Sequence, residues 1–293
     1  MFSIETKSSV LKLEVVPVDS LLLHEKILPH LSERLILEFR NWANLQNPII
    51  VGNNHIVLDG HHRAYAFRKL NFKYIPVCKI DYYHHDTQLR YWFRLLERAE
   101  SMELVKKLIH GMDGTLRQVD GKDAMIKRLK ENRFSFGIQK RDFFALISFK
   151  KDVVNDAVSA YDRLEEIQEK LVDKGMNLTY VPCKSVHKDE FREKMQDHEM
   201  VIWTPQITKD MVVAATDEKK VFAPKTTRHL IPARPVNVNI PTHWFKENIS
   251  LEEINTRFVD FLKTKKIRRF SPGQIIYGRY YEEELFAFYD EKE

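Results

Sequence analysis

Asp59-Gly60-His61-His62-Arg63 gathers a carboxylate, two imidazoles and a guanidinium around one glycine, a set of groups suited to holding phosphoryl oxygens. The residues before it, His55 to Leu58, form a short β-branched run, and those after it, Ala64 to Leu70, are good helix formers with Ala64, Phe67 and Leu70 at helical spacing. The motif therefore stands where a strand ends and a helix begins. At such a place backbone N–H groups and the positive end of the helix dipole face an anion, and Gly60 lets the backbone come close to it. Arg63 adds a planar fork for phosphoryl oxygens, and His61 and His62 add donors of adjustable charge. The competing reading is a solvated helix start with Asp59 as its N-cap.

A second group of donors lies far along the chain. Thr227-Arg228-His229 combines a hydroxyl, a guanidinium fork and an imidazole, which together can grip a carboxylate. Pro224, Pro232 and Pro235 restrict φ around it and favour an extended segment; a rigid surface connector would look the same. Other candidates carry less. Glu25 reads, on its residues alone, as an ordinary loop carboxylate. Trp92, spaced helically with Phe93 and Leu96, reads as core. The pair His84-His85 is assigned no metal, because adjacent residues seldom give tetrahedral geometry and no cysteine is near. The basic run Lys263 to Arg269 reads as a solvated helix end.

The elements that must position these groups can be outlined. Asn47 to Val51 and His55 to Leu58 form a hairpin around Gly52-Asn53-Asn54, residues that tolerate positive φ. Upstream lie a strand from Leu11 to Val16 and a helix from about Ser32 to Trp42. Downstream, Ile75 to Ile80 reads as a strand, with Pro76 favouring a sheet edge. A helical pattern then runs from Thr87 to Met112, and the glycines at 111, 114 and 121 suggest a boundary there. Two domains are expected, 1–112 carrying the phosphate-ready turn and 113–293 as an α/β lobe carrying the carboxylate-gripping segment. In the latter, Phe134 to Gly137 and Phe143 to Ser148 form a hairpin, and Val154 to Leu171 an amphipathic helix stopped at Gly175. Leu178 to Val181, a charged helix at Lys188 to Gln196, Met200 to Trp203 and Thr208 to Ala215 then alternate, which suggests some parallel pairing. The fold class is α/β with α+β character.

Composition narrows the functional classes. At 293 residues the chain can bury a substantial core in two lobes. Lys+Arg 47 against Asp+Glu 42 gives a mild basic excess that suits anionic small molecules without demanding nucleic acid. Two cysteines, Cys78 and Cys183, leave no room for a disulfide framework, and no apolar run reaches membrane-spanning length. A cytoplasmic protein is expected.

The strand, the Gly60 turn and the Arg63-bearing helix resemble the ParB/sulfiredoxin superfamily, in which such a unit cradles nucleotide phosphates. Within it the form Asp59-Gly60-His61-His62-Arg63 looks like the free L-serine kinases. Leu23-His24-Glu25 is similar to the His-Glu pair in which those kinases place a catalytic glutamate. Pro224 to Pro235 is similar to the segment with which they hold the carboxylate of the amino acid, although Ala223 stands where a further proline is expected. The resemblance implies a ParB/sulfiredoxin-like N-terminal domain and phosphoryl transfer from ADP or ATP to L-serine, giving O-phospho-L-serine, a cysteine precursor. It implies Mg²⁺ as cofactor, Glu25 as general base, Asp59 as metal ligand or histidine orienter, phosphate contacts from Gly60, His61, His62 and Arg63, and substrate contacts from Trp92, Thr227, Arg228 and His229.

A runner-up comes from the same superfamily: a nucleotide-gated DNA-binding partition protein or transcription regulator. It calls for a helix-turn-helix after the nucleotide domain, and the region beyond Met112 shows no tight pair with a basic recognition helix. A kinase that also regulates transcription would read alike. A sulfiredoxin-like reductase needs a cysteine at the phosphate turn, and none is there.

Overall fold

The computed structural model describes residues 1–99, 101–183, 195–204, 207–276 and 278–290. The chain forms two compact units, one of residues 1–88 and 229–293 and one of residues 89–228. The breaks thus fall at 88/89 and 228/229 rather than at 112/113, and the first unit is discontinuous in sequence. Glycines mark turns, and those at 111, 114 and 121 mark turns inside the second unit.

In the first unit, β1 (Phe2–Glu5), β2 (Val10–Pro17), β3 (Ile49–Val51), β4 (Val57–Asp59) and β5 (Tyr74–Lys79) form a sheet of order β1-β2-β5-β3-β4. Helices α1 (Pro29–Arg40) and α2 (His61–Lys69) belong to the same unit. Pro29 stands in the first turn of α1, where its missing N–H costs nothing. The β3–β4 hairpin is antiparallel as the sequence suggests, but its positive φ falls on His55, one residue beyond the Gly-Asn-Asn run. Burial is complete at Ile49, Ile50, Val51, Ile56 and Val57, so the hairpin that delivers Asp59 is anchored in the core. Strand β5 is central rather than an edge. Pro76 is tolerated because β3 pairs with it only from Val77 onward, leaving Pro76 with β2 alone.

Strand β6 (Gln88–Arg90) carries the chain out of the first unit. The second unit holds β7 (Trp92–Glu97), α3 (Met102–Gly111), β8 (Gly114–Gln118), α4 (Lys122–Glu131), β9 (Phe136–Lys140), β10 (Phe143–Phe149), α5 (Ala157–Asp173), β11 (Asn177–Pro182), β12 (Met200–Trp203) and α6 (Lys209–Asp217). Its sheet has the order β11-β7-β12-β9-β10-β8, and all its described pairings are antiparallel, so the expected parallel pairing does not occur. The helix expected over Thr87 to Met112 is instead β6, β7 and α3. Strand β7 lies inside the sheet, between β11 and β12, and carries apolar residues on both faces, Trp92 and Leu96 on one and Phe93 and Leu95 on the other, so its apolar positions mimic a helical stripe. The β9–β10 hairpin and α5 match their sequence signals. Helix α5 opens on a capping box between Asp156 and Ser159, and Gly175 follows at φ 90°. The charged helix expected at Lys188 to Gln196 lies almost wholly outside the described residues.

The chain returns through β13 (Arg228–Leu230), and the first unit is completed by β14 (Ala233–Val236), α7 (Leu251–Lys263), β15 (Lys266–Phe270), β16 (Gln274–Ile276), β17 (Arg279–Tyr281) and β18 (Glu284–Tyr289). Strands β14, β18 and β15 form a second sheet in which β14 and β18 run parallel. The basic run Lys263 to Arg269 is not a helix end throughout: α7 stops at Lys263 and Lys266 onward is strand β15. Helix α7 covers β2 beyond the end of β1, where Asn255 takes the Val15 N–H through Oδ1 and donates Nδ2–H to its carbonyl, both at 2.9 Å. No described helix is long and apolar enough to cross a membrane.

In β9, an added Cβ at Gly137 would meet Met125 Sδ at 2.7 Å and Trp203 Cβ at 3.0 Å. Gly137→Ala is therefore expected to destabilise the protein by about 1–3 kcal/mol, seen as a lower denaturant midpoint with an unchanged slope.

Candidate active site

The strand β4 ends at Asp59, Gly60 turns the chain at φ 107°, and α2 begins at His61. Only glycine suits this turn, for a Cβ at Gly60 would lie 2.9 Å from Arg63 Nη2 and 3.1 Å from Ile49 Cγ1. The first bond of the helix runs from Ala64 N–H to Gly60 O, so the amides of His61, His62 and Arg63 precede it at the positive end of the dipole. Asp59 is not the N-cap. Its Oδ2 accepts from Arg63 Nη2 at 3.1 Å and from Arg234 Nη1 at 2.6 Å. Arg234 in turn donates Nη2–H to Glu283 at 3.0 Å. Arg63 also gives Nη1–H to the carbonyls of Asn47, at 2.6 Å, and Pro48, at 3.3 Å. Burial alone would push the Asp59 carboxyl up, but Arg234, Arg63 and Arg279 outweigh it and hold the group well below the usual carboxylate range.

Beside the turn lies a cluster of histidines. His24, fully buried, has Nδ1 3.3 Å from His61 Nε2, and its ring meets that of His229 edge-on at 5.5 Å. Burial, helped by His61 and His229, keeps His24 well below the ordinary histidine range and hence neutral at pH 7. His229 Nδ1 lies 3.2 Å from the Leu58 carbonyl, which can only accept, so Nδ1 carries the proton and Nε2 accepts from Tyr82 Oη at 3.1 Å. His62 Nε2 accepts the backbone N–H of Leu28 at 3.0 Å. Glu25, half-buried, lies between His24 and Leu28 and so on the segment held against the start of α2.

The remaining candidates sit in the second unit. Trp92, half-buried in β7, donates its indole N–H to the Thr227 carbonyl at 3.0 Å. Over its ring stand Lys225 Nζ, 4.8 Å from the centroid, and the Arg228 guanidinium, 6.0 Å away. Arg228 Nη1 also donates to the Cys183 carbonyl at 3.3 Å. The segment is not a surface connector: Thr226 and Thr227 are buried. Nor is it extended throughout, since Lys225 takes φ 59° in a turn after Pro224.

The structure thus brings together Asp59, Gly60, His61, His62, Arg63, Glu25 and His229 in the first unit, and Trp92, Thr227 and Arg228 in the second. Sequence reasoning passed over four residues. Arg234 and Glu283 complete the ion network at Asp59, and Tyr82 fixes His229. Arg94, fully buried, donates to Gln168 and to the carbonyls of Trp92, Lys225 and Pro224. A charged residue inside an apolar strand run was the available signal for Arg94.

Comparison with known proteins gives a consistent result, although no family model matches the chain. The ATP-dependent L-serine kinase of Staphylothermus marinus is 27% identical over 240 residues, covering 78% of this chain and 88% of that protein. The ADP-dependent L-serine kinase SerK of Thermococcus kodakarensis is 20% identical over 231 residues, covering 77% and 89%. Among solved structures, a free serine kinase variant in complex with AMP superposes with a TM-score of 0.66 at 19% identity, over 83% of this chain and 97% of that one. The chain thus resembles L-serine kinases in sequence over most of its length and shares the fold of a free serine kinase. In this chain the Gly60 turn is backed by an ion network, and the His24-Glu25 segment is tied to the helix start.

The shift at Asp59 has a pH consequence. Its folded pKa lies below the unfolded value of about 3.9, so the stabilisation is complete above about pH 5 and is lost progressively as pH falls further, through the unfolded and then the folded pKa. Asp59→Asn is expected to cost about 3 kcal/mol at pH 7 and to flatten the acid limb of a stability–pH curve measured by denaturant titration. His24, with a folded pKa below its unfolded value of about 6.5, makes both proteins lose stability below that pH. Only the difference between the two curves reports Asp59.

Proposed function

We propose that this chain is a free L-serine kinase, transferring a phosphoryl group from ATP or ADP to the hydroxyl of L-serine to give O-phospho-L-serine. The observation that carries the reading is the join between the Gly60 turn and the Glu25 segment. An anion-ready helix start and a half-buried carboxylate are held together within one unit by hydrogen bonds of 3.0 and 3.3 Å. Curated relatives named as L-serine kinases support the same activity, and another is named only as a ParB-like protein.

Phosphates of the nucleotide lie at the amides of Gly60, His61, His62 and Arg63, with the macrodipole opposing their charge. Arg63 acts through the turn, since it bonds Asp59 and two carbonyls. Glu25 accepts the proton of the serine hydroxyl as its oxygen bonds to phosphorus. The bond from phosphorus to the bridging oxygen breaks, and ADP leaves when ATP is the donor, or AMP when ADP is. Asp59, ionised and part-exposed, would be the residue to hold Mg²⁺, which would neutralise charge on the phosphoryl oxygens. Arg228 grips the serine carboxylate, with Thr227 and His229 next to it in the chain and the Trp92 indole under its guanidinium. The product feeds cysteine synthesis, and the free thiols of Cys78 and Cys183 suit a cytoplasmic enzyme.

Incubating the protein with L-serine, Mg²⁺ and either nucleotide should yield phosphoserine; no serine-dependent nucleotide consumption with either donor would overturn the reading. Glu25→Gln keeps shape and removes basicity, so turnover should fall roughly a hundredfold with nucleotide binding nearly intact by calorimetry. Arg228→Lys replaces a fork by a point charge, and the KM for serine should rise roughly tenfold while that for nucleotide changes far less.

A further inference from the structure

The two histidines of the Gly60 turn offer their Nε2 edges to the segment that bears Glu25. His61 Nε2 meets His24 Nδ1 immediately before Glu25, and His62 Nε2 meets the Leu28 amide three residues after it. The direction of the second bond is forced, because a backbone N–H can only donate: His62 Nε2 is an unprotonated acceptor, and His62 is the neutral Nδ1–H tautomer. The first follows from the surroundings of His24. That ring is buried and neutral and bonds the Val57 backbone, a contact that favours its protonated form and so uses a ring N–H. Its Nδ1 lone pair is then the acceptor, and His61 carries a proton on Nε2. Each ring has one way round, and each holds one flank of Glu25.

We propose that His61 and His62 are positioning residues for Glu25, a clamp through which the nucleotide turn fixes the catalytic carboxylate, with His62 as the stronger jaw. The inference rests on Glu25 being the general base. It differs from a pure phosphate-contact role in what should be lost. A phosphate ligand supports nucleotide binding, whereas a strut under Glu25 supports the transfer step and leaves binding to the backbone amides of the turn.

The experiment uses His62→Leu, which removes the acceptor, and His62→Gln, whose side-chain oxygen can reach the position of Nε2. Both are assayed with the wild type's own donor nucleotide, alone and in the Glu25→Gln background, with fold checked by circular dichroism. Expected are a tenfold or greater loss of kcat in His62→Leu, a nucleotide KM within threefold of wild type, and recovery of most turnover in His62→Gln. In the Glu25→Gln background, His62→Leu should cost no further turnover, because the group it positions is already disabled. A rise in nucleotide KM with kcat intact, equal defects in the Gln and Leu variants, or additive losses in the double variant would each overturn the clamp. If His62→Leu does not fold, the His62→Gln comparison in both backgrounds carries the test, and a tenfold kcat loss in His62→Gln would overturn it. Full turnover in Glu25→Gln alone marks instead the failure of the general-base reading, and the clamp falls with it.

Discussion

The carboxylate of Asp59, shared between Arg63 and Arg234, is the constraint on which the rest of the first unit depends. It joins the end of β4, the first turn of α2 and strand β14, and through Arg234 it reaches Glu283 at the start of β18. Arg234 and Glu283 are almost wholly buried. Such networks add little net stability, because the desolvation of each ion offsets the attraction, but removing one member leaves its partner's charge buried and uncompensated. What the network determines is placement. One oxygen must lie within reach of two guanidiniums, so the β4 end and β14 have one arrangement that satisfies both.

The same network sets the electrostatics of the helix start. Asp59 alone, at the end of the strand, would repel an anion approaching the α2 amides. Paired with Arg63 and Arg234, it is neutralised, and Glu283 balances the second guanidinium, so the four charges cancel. Arg279, whose charge also acts on Asp59, adds to the field of the helix dipole and its first-turn amides, and the sum favours a phosphoryl group. Arg63 also packs where a Cβ at residue 60 would sit, so the glycine that permits the turn and the arginine that backs it require each other.

Legibility followed sequence distance. The hairpin, the Gly60 turn and α2 are contiguous, and their signals of β-branched run, glycine and helical spacing are local; each appears as read. The amphipathic helix α5 was legible for the same reason, with cap and stop residues at both ends. The stretch around Trp92 was not. Strand β7 carries apolar residues on both faces, so they keep no period of two, and the accidental three-and-four spacing of Leu89, Trp92, Phe93 and Leu96 imitates a helix. Arg234 and Glu283 were passed over because their partner, Asp59, lies 175 residues from Arg234. The return of the chain to its first unit at His229 is likewise a long-range fact with no local mark.

Trp92 combines core anchoring with a ring face left partly open. Its indole N–H is used on the Thr227 carbonyl, and Arg94, two residues on, binds the carbonyls of Pro224 and Lys225, so β7 and the 224–227 turn are fixed to each other by buried donors. That is core work, as helical spacing wrongly and burial rightly suggest. Yet the ring stays half-buried, with the cations of Lys225 and Arg228 over its face. An aromatic face restrains a guanidinium without using any of its N–H donors. Arg228 is restrained that way at its face and by its Nη1 bond to the Cys183 carbonyl, so the turn that Trp92 and Arg94 anchor to β7 also sets where its guanidinium stands.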